Sequence, residues 1–182
     1  MIARLREILA RREARAALAA RRAGPLPAVA DRRLLVVLPD DPEGVLSVAD
    51  LLEALDLPAS HVDLVHLGAP LASVPRALEG RVREIGPEGH DWRGLPSAAV
   101  RRELWGTRPD VALSLAAASD LAASLVVGGS PAGVRIGRHA DDAEAFFDLL
   151  IGGEPDAAGA SRALRRLLRA LDPPVLPILP TC

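Results

Sequence analysis

Lysine is missing altogether: all 22 basic residues of this 182-residue chain are arginine. Tyrosine is missing too, and two phenylalanines and two tryptophans are the only aromatics. Without lysine the chain cannot close a phosphate loop with Gly-Lys-Ser/Thr. So few aromatics leave no platform on which single-stranded bases could stack. Cys182 stands alone, which rules out an intrachain disulfide and a cysteine metal cluster built from one chain. The histidines at 61, 66, 90 and 139 are scattered, with no pair at helical ligand spacing. Neither a metal nor a cofactor is therefore expected. Apolar runs such as Leu34–Leu38 and Leu121–Val127 fall far short of the roughly 20 residues that span a bilayer. The first residues, MIARLREILARREARAA, hold neither an unbroken apolar segment nor a small-residue cleavage site. No secretory signal is expected, and a cytoplasmic location is the default. No sequence-specific DNA-binding motif is present.

What remains is rich in alanine, leucine and valine, the composition of a GC-rich coding sequence, and 49% of the chain is apolar. Length and apolar content suit one ordinary domain with a real core. Charge is unevenly placed. Residues 1–33 carry nine arginines against three acids, a formal +6, and the rest carries thirteen arginines against 21 acids, a formal −8.

Ile2, Leu5, Ile8 and Leu9 recur at helical spacing, with arginines filling the positions between them, so residues 2–22 read as a basic amphipathic helix. AGPLPAVA at 23–30 ends it, giving a helical segment over 1–24 and a domain over 25–172. The helix could pack its apolar stripe on the domain and leave its arginines in water. Alternatively, Arg4, Arg11, Arg12 and Arg15 could meet an acidic protein partner, RNA or an anionic membrane surface.

From Arg33 onward, short β-rich runs alternate with helical patterns, the signature of βαβ units. Strands are expected at 34–38, 61–68, 82–86, 110–116, 133–138 and 146–153. Helices are expected at 43–55, about 97–106, from about 121 to 127, and 156–171, with a short segment near Val74–Leu78 between the second and third strands. LLVVL at 34–38 is apolar throughout, as a strand buried on both faces requires. The expected fold is a three-layer α/β sandwich around a mostly parallel, Rossmann-like sheet of five to six strands. The prolines of DPPVLPILPTC make residues 173–182 an extended tail.

Ligands of such sheets bind beyond the carboxyl ends of the strands, near the switch in strand order. Three loops therefore carry the candidates. After strand one, LPDDPEG offers Asp40, Asp41 and Glu43 where a dinucleotide fold has glycines; the acids repel phosphate and the backbone cannot approach it closely. They could hold a hard cation, but an aspartate before a helix more often caps it, so Asp40 or Asp41 is expected to cap 43–55. After strand four, Ser119 and Asp120 could act on a ligand or cap the next helix. After strand five, Arg138 and His139, with Arg135, could meet an anion or pair locally with Asp141, Asp142 and Glu144. In GHDWRG, Trp92 stands between charged residues, as at a partner site, or plugs the edge of the core. GGSPAG lacks the G-x-S-x-G spacing of a nucleophile elbow.

RPDVALSLAAASDLAASLVVGGSPAGVRIGR, residues 108–138, resembles a stretch in the N-terminal domain of heptosyltransferase-like glycosyltransferases. That family opens with a glycine-rich G-x-x-G-D turn carrying its catalytic acid, whereas residues 38–44 here read LPDDPEG, so its catalytic residues do not carry over. Across residues 2–171 the order of DWRG (91–94), PDVALSL (109–115), VRIGR (134–138) and FFDLLIGG (146–153) is similar to a family of small, uncharacterised bacterial proteins, a domain of unknown function. That resemblance implies a single-domain α/β fold, a cytoplasmic location and no assigned activity. The expectation drawn is a non-catalytic protein that acts by protein or RNA contact through its N-terminal helix. The alternatives are a small glycosyltransferase-like enzyme or ligand-binding module, and a peripheral membrane protein.

Overall fold

The computed structural model describes residues 4, 5, 8, 9, 12, 13, 16, 26–71, 73–117, 119–139, 143–152 and 157–171. Six strands form one sheet: β1 (Leu34–Val37), β2 (Val62–Leu67), β3 (Val82–Ile85), β4 (Val111–Ser114), β5 (Val134–Arg138) and β6 (Leu149–Ile151). All are parallel, in the order β3-β2-β1-β4-β5-β6. The fold is therefore an α/β, Rossmann-like sandwich, and its switch in strand order lies between β1 and β4.

Four helices cover the sheet: α1 (Pro42–Leu55), α2 (Ala98–Gly106), α3 (Leu121–Gly128) and α4 (Ala157–Ala170). Alternation along each strand divides the core in two. Leu34, Val36, Leu64, Leu113 and Ile136 face α1 and α4, meeting Val45, Val48, Leu164 and Leu168. Leu35, Val37, Val65 and Ala112 face α2 and α3, meeting Leu104, Leu125 and Val126. Burying one such leucine contributes about 1.5–3 kcal/mol, so β1, apolar on both faces, anchors both layers.

Helix starts follow from their caps. Asp41 accepts the Gly44 amide at 2.5 Å with Pro42 at the first helical position, and Ser97 accepts the Val100 amide at 3.3 Å. Gly44 is required where it stands: a Cβ there would come within 2.5 Å of Pro39 and 2.7 Å of the Asp41 carboxylate. At the other end of the sheet Arg32, 1% exposed, closes α4. Its Nε donates to the Pro27 carbonyl (2.8 Å), and its two Nη atoms donate to the carbonyls of Leu168 (2.8 Å) and Leu171 (2.7 Å). These include the last-turn carbonyls that a helix cannot satisfy by itself.

One element differs from expectation. The sixth strand covers only Leu149–Ile151 and not 146–153, because a 3-10 turn at Ala143–Ala145 directs Phe146 and Phe147 into the core under α2 and α3. Gly137 makes room for the Phe147 ring, and Gly128 for Phe146. Between β2 and β3 the expected short segment near Val74–Leu78 takes the form of a 3-10 turn at Arg76–Leu78, which buries Leu78. Among the described residues no helix is long and apolar enough to cross a membrane. The expected tail at 173–182, Arg11, Arg15, Asp141 and Asp142 lie outside the described residues.

Candidate functional site

The turn after β1 separates its two aspartates. Asp41 is committed to the α1 N-terminus, while Asp40 projects beyond the sheet with its side chain 83% exposed. Behind it, on the neighbouring strand β2, stands His66, 3% exposed, whose Nε2 lies 2.9 Å from Asp40 Oδ1. With Asp40 ionised, Nε2 carries the proton and donates it. Nδ1 is then an acceptor, and it is buried without a hydrogen-bond partner among the described residues. In this pair the imidazole is the buried holder and the carboxylate the presented group. Gly68 takes φ 149°, and a Cβ there would be in ordinary contact with both, 3.9 Å from the His66 ring and 4.0 Å from Asp40 Oδ1. Asp40 is thus a fixed, solvent-facing carboxylate beside the switch in strand order.

The other candidates at this edge divide in the same way. Asp120 caps α3, accepting the Ala122 amide at 2.9 Å and the Ala123 amide at 3.0 Å, while Ser119 stays exposed in the turn. Arg138 is half-buried at the end of β5 and engaged. His139 is exposed, its amide donating to the Ile151 carbonyl. No hydrogen bond or ion pair joins Asp40, Ser119 and His139 among the described residues. Nor do three His, Cys, Asp or Glu side chains converge there as a metal set. Arg135 stands apart from Arg138 and His139, while Asp141, Asp142 and the Glu144 side chain lie outside the described residues. Arg135 is buried at the start of β5, held in a fork by Asp148 (3.0 and 2.9 Å) and donating to the Gly128 carbonyl (2.7 Å). A planar guanidinium with five donors can be buried when it finds such a set of acceptors.

A second surface joins the N-terminal segment to the 90–96 loop. Arg4, Leu5, Ile8, Leu9, Arg12, Glu13 and Ala16 are helical. Leu5 and Ile8 do not pack on the domain as an apolar stripe would; they are 49% and 56% exposed. Leu9 is half-buried, and Glu13 pairs its carboxylate with Arg93 and Arg101. Arg101 in turn lies 5.8 Å from the centroid of the Trp105 ring. Arg4 and Arg12 remain exposed.

Trp92 does not plug the core: it is 79% exposed. The loop carrying it is nonetheless fixed. Asp91 accepts the amides of Arg93 (2.8 Å) and Leu95 (3.2 Å) and the Arg93 Nε (2.8 Å), and Gly94 takes φ 72°. Burial pushes the Asp91 carboxyl up, but hydrogen bonds from the Arg93 guanidinium and from the two amides outweigh it and hold the group below the ordinary carboxylate range. Arg93, paired with Asp91 and Glu13, is raised in turn.

Three positions of these candidate sites escape a reading of the sequence: His66, Glu13 and the buried Arg101. His66 could be found only once β2 was known to lie beside β1. No family model matches this chain, and no curated protein or solved structure is detectably similar to it.

Proposed function

We propose that this chain is a non-catalytic α/β protein that binds a protein partner through one composite surface, the N-terminal helix and the Trp92 loop. The observation that carries the reading is the Glu13–Arg93 contact, which ties the helix bearing exposed Leu5, Ile8, Arg4 and Arg12 to the loop bearing an exposed tryptophan. A large exposed aromatic on a loop already fixed binds with little ordering cost, and tryptophan and arginine are the residues that dominate interface energetics. The exposed leucine and isoleucine favour a partner with an apolar groove and an acidic rim over RNA, whose recognition needs positive charge but no aliphatic contact.

Capture from native lysate by the full chain, by Trp92→Ala and by a form lacking residues 1–24 tests the reading. One protein should be retained by the wild type, lost from both variants, and rebound when the two purified proteins are mixed. Identical capture by all three overturns it. So does capture abolished by nuclease, or flotation with anionic liposomes in place of protein binding.

A second reading is favoured by the Asp40–His66 pair: a ligand-binding or glycosyltransferase-like site in the crevice between Asp40 and Ser119. A buried imidazole that orients an exposed carboxylate is the arrangement by which such a group is held for a ligand. Thermal-shift measurements with nucleotide sugars and divalent cations test it, and a flat response in all of them refutes it.

A further inference from the structure

At the opposite end of the sheet, below the amino ends of β1 and β4, lies a cavity of about 720 Å³, within the range of small-molecule sites. Three of its wall residues, Pro27, Pro109 and Pro131, are prolines. Each has a fixed φ and no N–H, so the walls are stiff and poor in backbone donors.

The aromatic wall is Trp105. Its indole N–H is taken up by the Val126 carbonyl at 2.9 Å. Its benzo edge lies against Gly129, where a Cβ would come within 2.6 Å of the ring. With its indole N–H satisfied and Arg101 over the ring, 5.8 Å from its centroid, the half-buried Trp105 can offer the cavity only its other face.

The two cationic wall residues are Arg33 and Arg108. Arg33 makes one long side-chain contact, to the Thr107 carbonyl at 3.3 Å. Arg108 is the more telling. It follows the end of α2 with φ 53°, the left-handed position where helices place glycine. The proline after it disfavours helical backbone there as well. An arginine therefore occupies a position that local rules assign to another residue, and its guanidinium has no hydrogen bond or ion pair among the described residues. A position where a local rule is broken without a structural return is either strained or functional, and so is a place to look for a ligand.

Two carboxylates complete the lining. Asp110 is buried and accepts the Arg33 amide at 3.0 Å. Asp31 is exposed and can accept a donor from a ligand.

We propose that this cavity binds a small heteroaromatic anion of the nucleoside monophosphate class. The base stacks on Trp105, an exocyclic amine donates to Asp31, and the phosphate sits between the Arg33 and Arg108 guanidinia. The site is distinct from the turn after β1, whose acids repel phosphate, and adjoins the helix–Trp92 surface through Arg101, which pairs with Glu13 and lies over the Trp105 ring.

The test uses Trp92→Phe protein, so that Trp105 is the sole fluorophore, with adenosine 5′-monophosphate as probe. Saturable quenching is expected. Adenosine, which lacks the phosphate, and ribose 5-phosphate, which lacks the ring, should each bind at least about tenfold more weakly. Arg33→Gln and Arg108→Gly should each weaken the monophosphate by about tenfold or more. Arg108→Gly should at the same time leave the melting temperature unchanged or raise it, because glycine relieves the left-handed residue. Absence of quenching up to about 10 mM, a range already weaker than ordinary metabolite sites, overturns the proposal. So does equal binding of adenosine and its monophosphate, or undiminished binding by Arg108→Gly.

Discussion

Replacing Arg32 by methionine should destabilise the fold by about 3–5 kcal/mol, out of the roughly 5–15 kcal/mol typical of a domain. Methionine keeps most of the aliphatic volume and removes the guanidinium. The magnitude follows from the three carbonyls it serves. The contact to Leu168 is fully buried, and a buried acceptor left without a donor costs about 1–3 kcal/mol. The carbonyls of Pro27 and Leu171 are only partly buried and can take water, so each loses about 0.5–1 kcal/mol. Removing a cation from the end of α4 takes away about 0.5–1 kcal/mol of favourable dipole interaction. In urea the midpoint should fall with the slope unchanged, and thermally the loss corresponds to about 6–20 °C for a chain of this size. Amide exchange should accelerate first in the last two turns of α4. Arg32→Lys should recover less than half of the loss, since an ammonium cannot spread its donors over three separated carbonyls. A change below about 1 kcal/mol in Arg32→Met would refute the view that this side chain fastens α4 to the sheet.

Four further outcomes are expected. Asp41→Ala should cost about 1 kcal/mol by thermal melt, the usual value of an N-cap; an unchanged melt would mean that the 2.5 Å bond to Gly44 contributes nothing. Leu113→Ala, deep between β1 and β5 on the α1–α4 face, should cost about 2–5 kcal/mol in urea. Because the native Asp91 carboxyl lies below its ordinary value of 3.8, its contribution to the 90–96 loop is complete above that value and is lost as pH falls through the lower native one; Trp92 fluorescence should report this acid transition in wild type and not in Asp91→Asn. Glu13→Gln removes the carboxylate shared by Arg93 and Arg101, so trypsin should cut within residues 4–15 several-fold faster than in wild type, and equal rates would place the helix anchor elsewhere.

The strands were legible because a parallel sheet covered on both sides needs continuous apolar runs, and LLVVL can satisfy two core layers at once only as a central strand. The starts of α1 and α3 were legible because Asp41 and Asp120 are short acceptors placed just ahead of apolar periodicity. These are local signals. Trp92 and the Leu5–Ile8 pair were not legible in the same way. Apolar character argues for burial, but an aspartate turn at Asp91 and a carboxylate at Glu13 decide where those segments lie. Composition also makes every arginine look like surface. Arg32, Arg101 and Arg135 are buried; Arg32 and Arg101 find acceptors in distant segments, and Arg135 finds them at Gly128 and Asp148 only because the chain folds back on itself there.

The turn that presents Asp40 shows how strand order converts sequence into chemistry. Within PDDP the two aspartates are equivalent by composition, and capping geometry selects Asp41 because its carboxylate reaches the Gly44 amide three residues on. Asp40 is left one position earlier, three residues past the end of β1, where the adjacent strand β2 reaches it. With β2 beside β1 in register from Leu34 opposite Val62 to Val37 opposite Val65, the next residue on β2 is His66, and its Nε2 meets Asp40 Oδ1. Asp40→Asn keeps an acceptor for that imidazole and removes the charge, whereas Asp40→Ala leaves the buried nitrogen with no partner at all. If holding His66 is the only task of Asp40, the asparagine form should match wild type in stability and in every binding assay. A response to divalent cations or nucleotide sugars that disappears in Asp40→Asn while the melting temperature is kept would show that the carboxylate faces a ligand. A melting temperature that falls in Asp40→Asn as far as in Asp40→Ala would show that the charge itself is needed for the fold, and the crevice would lose its claim to a ligand.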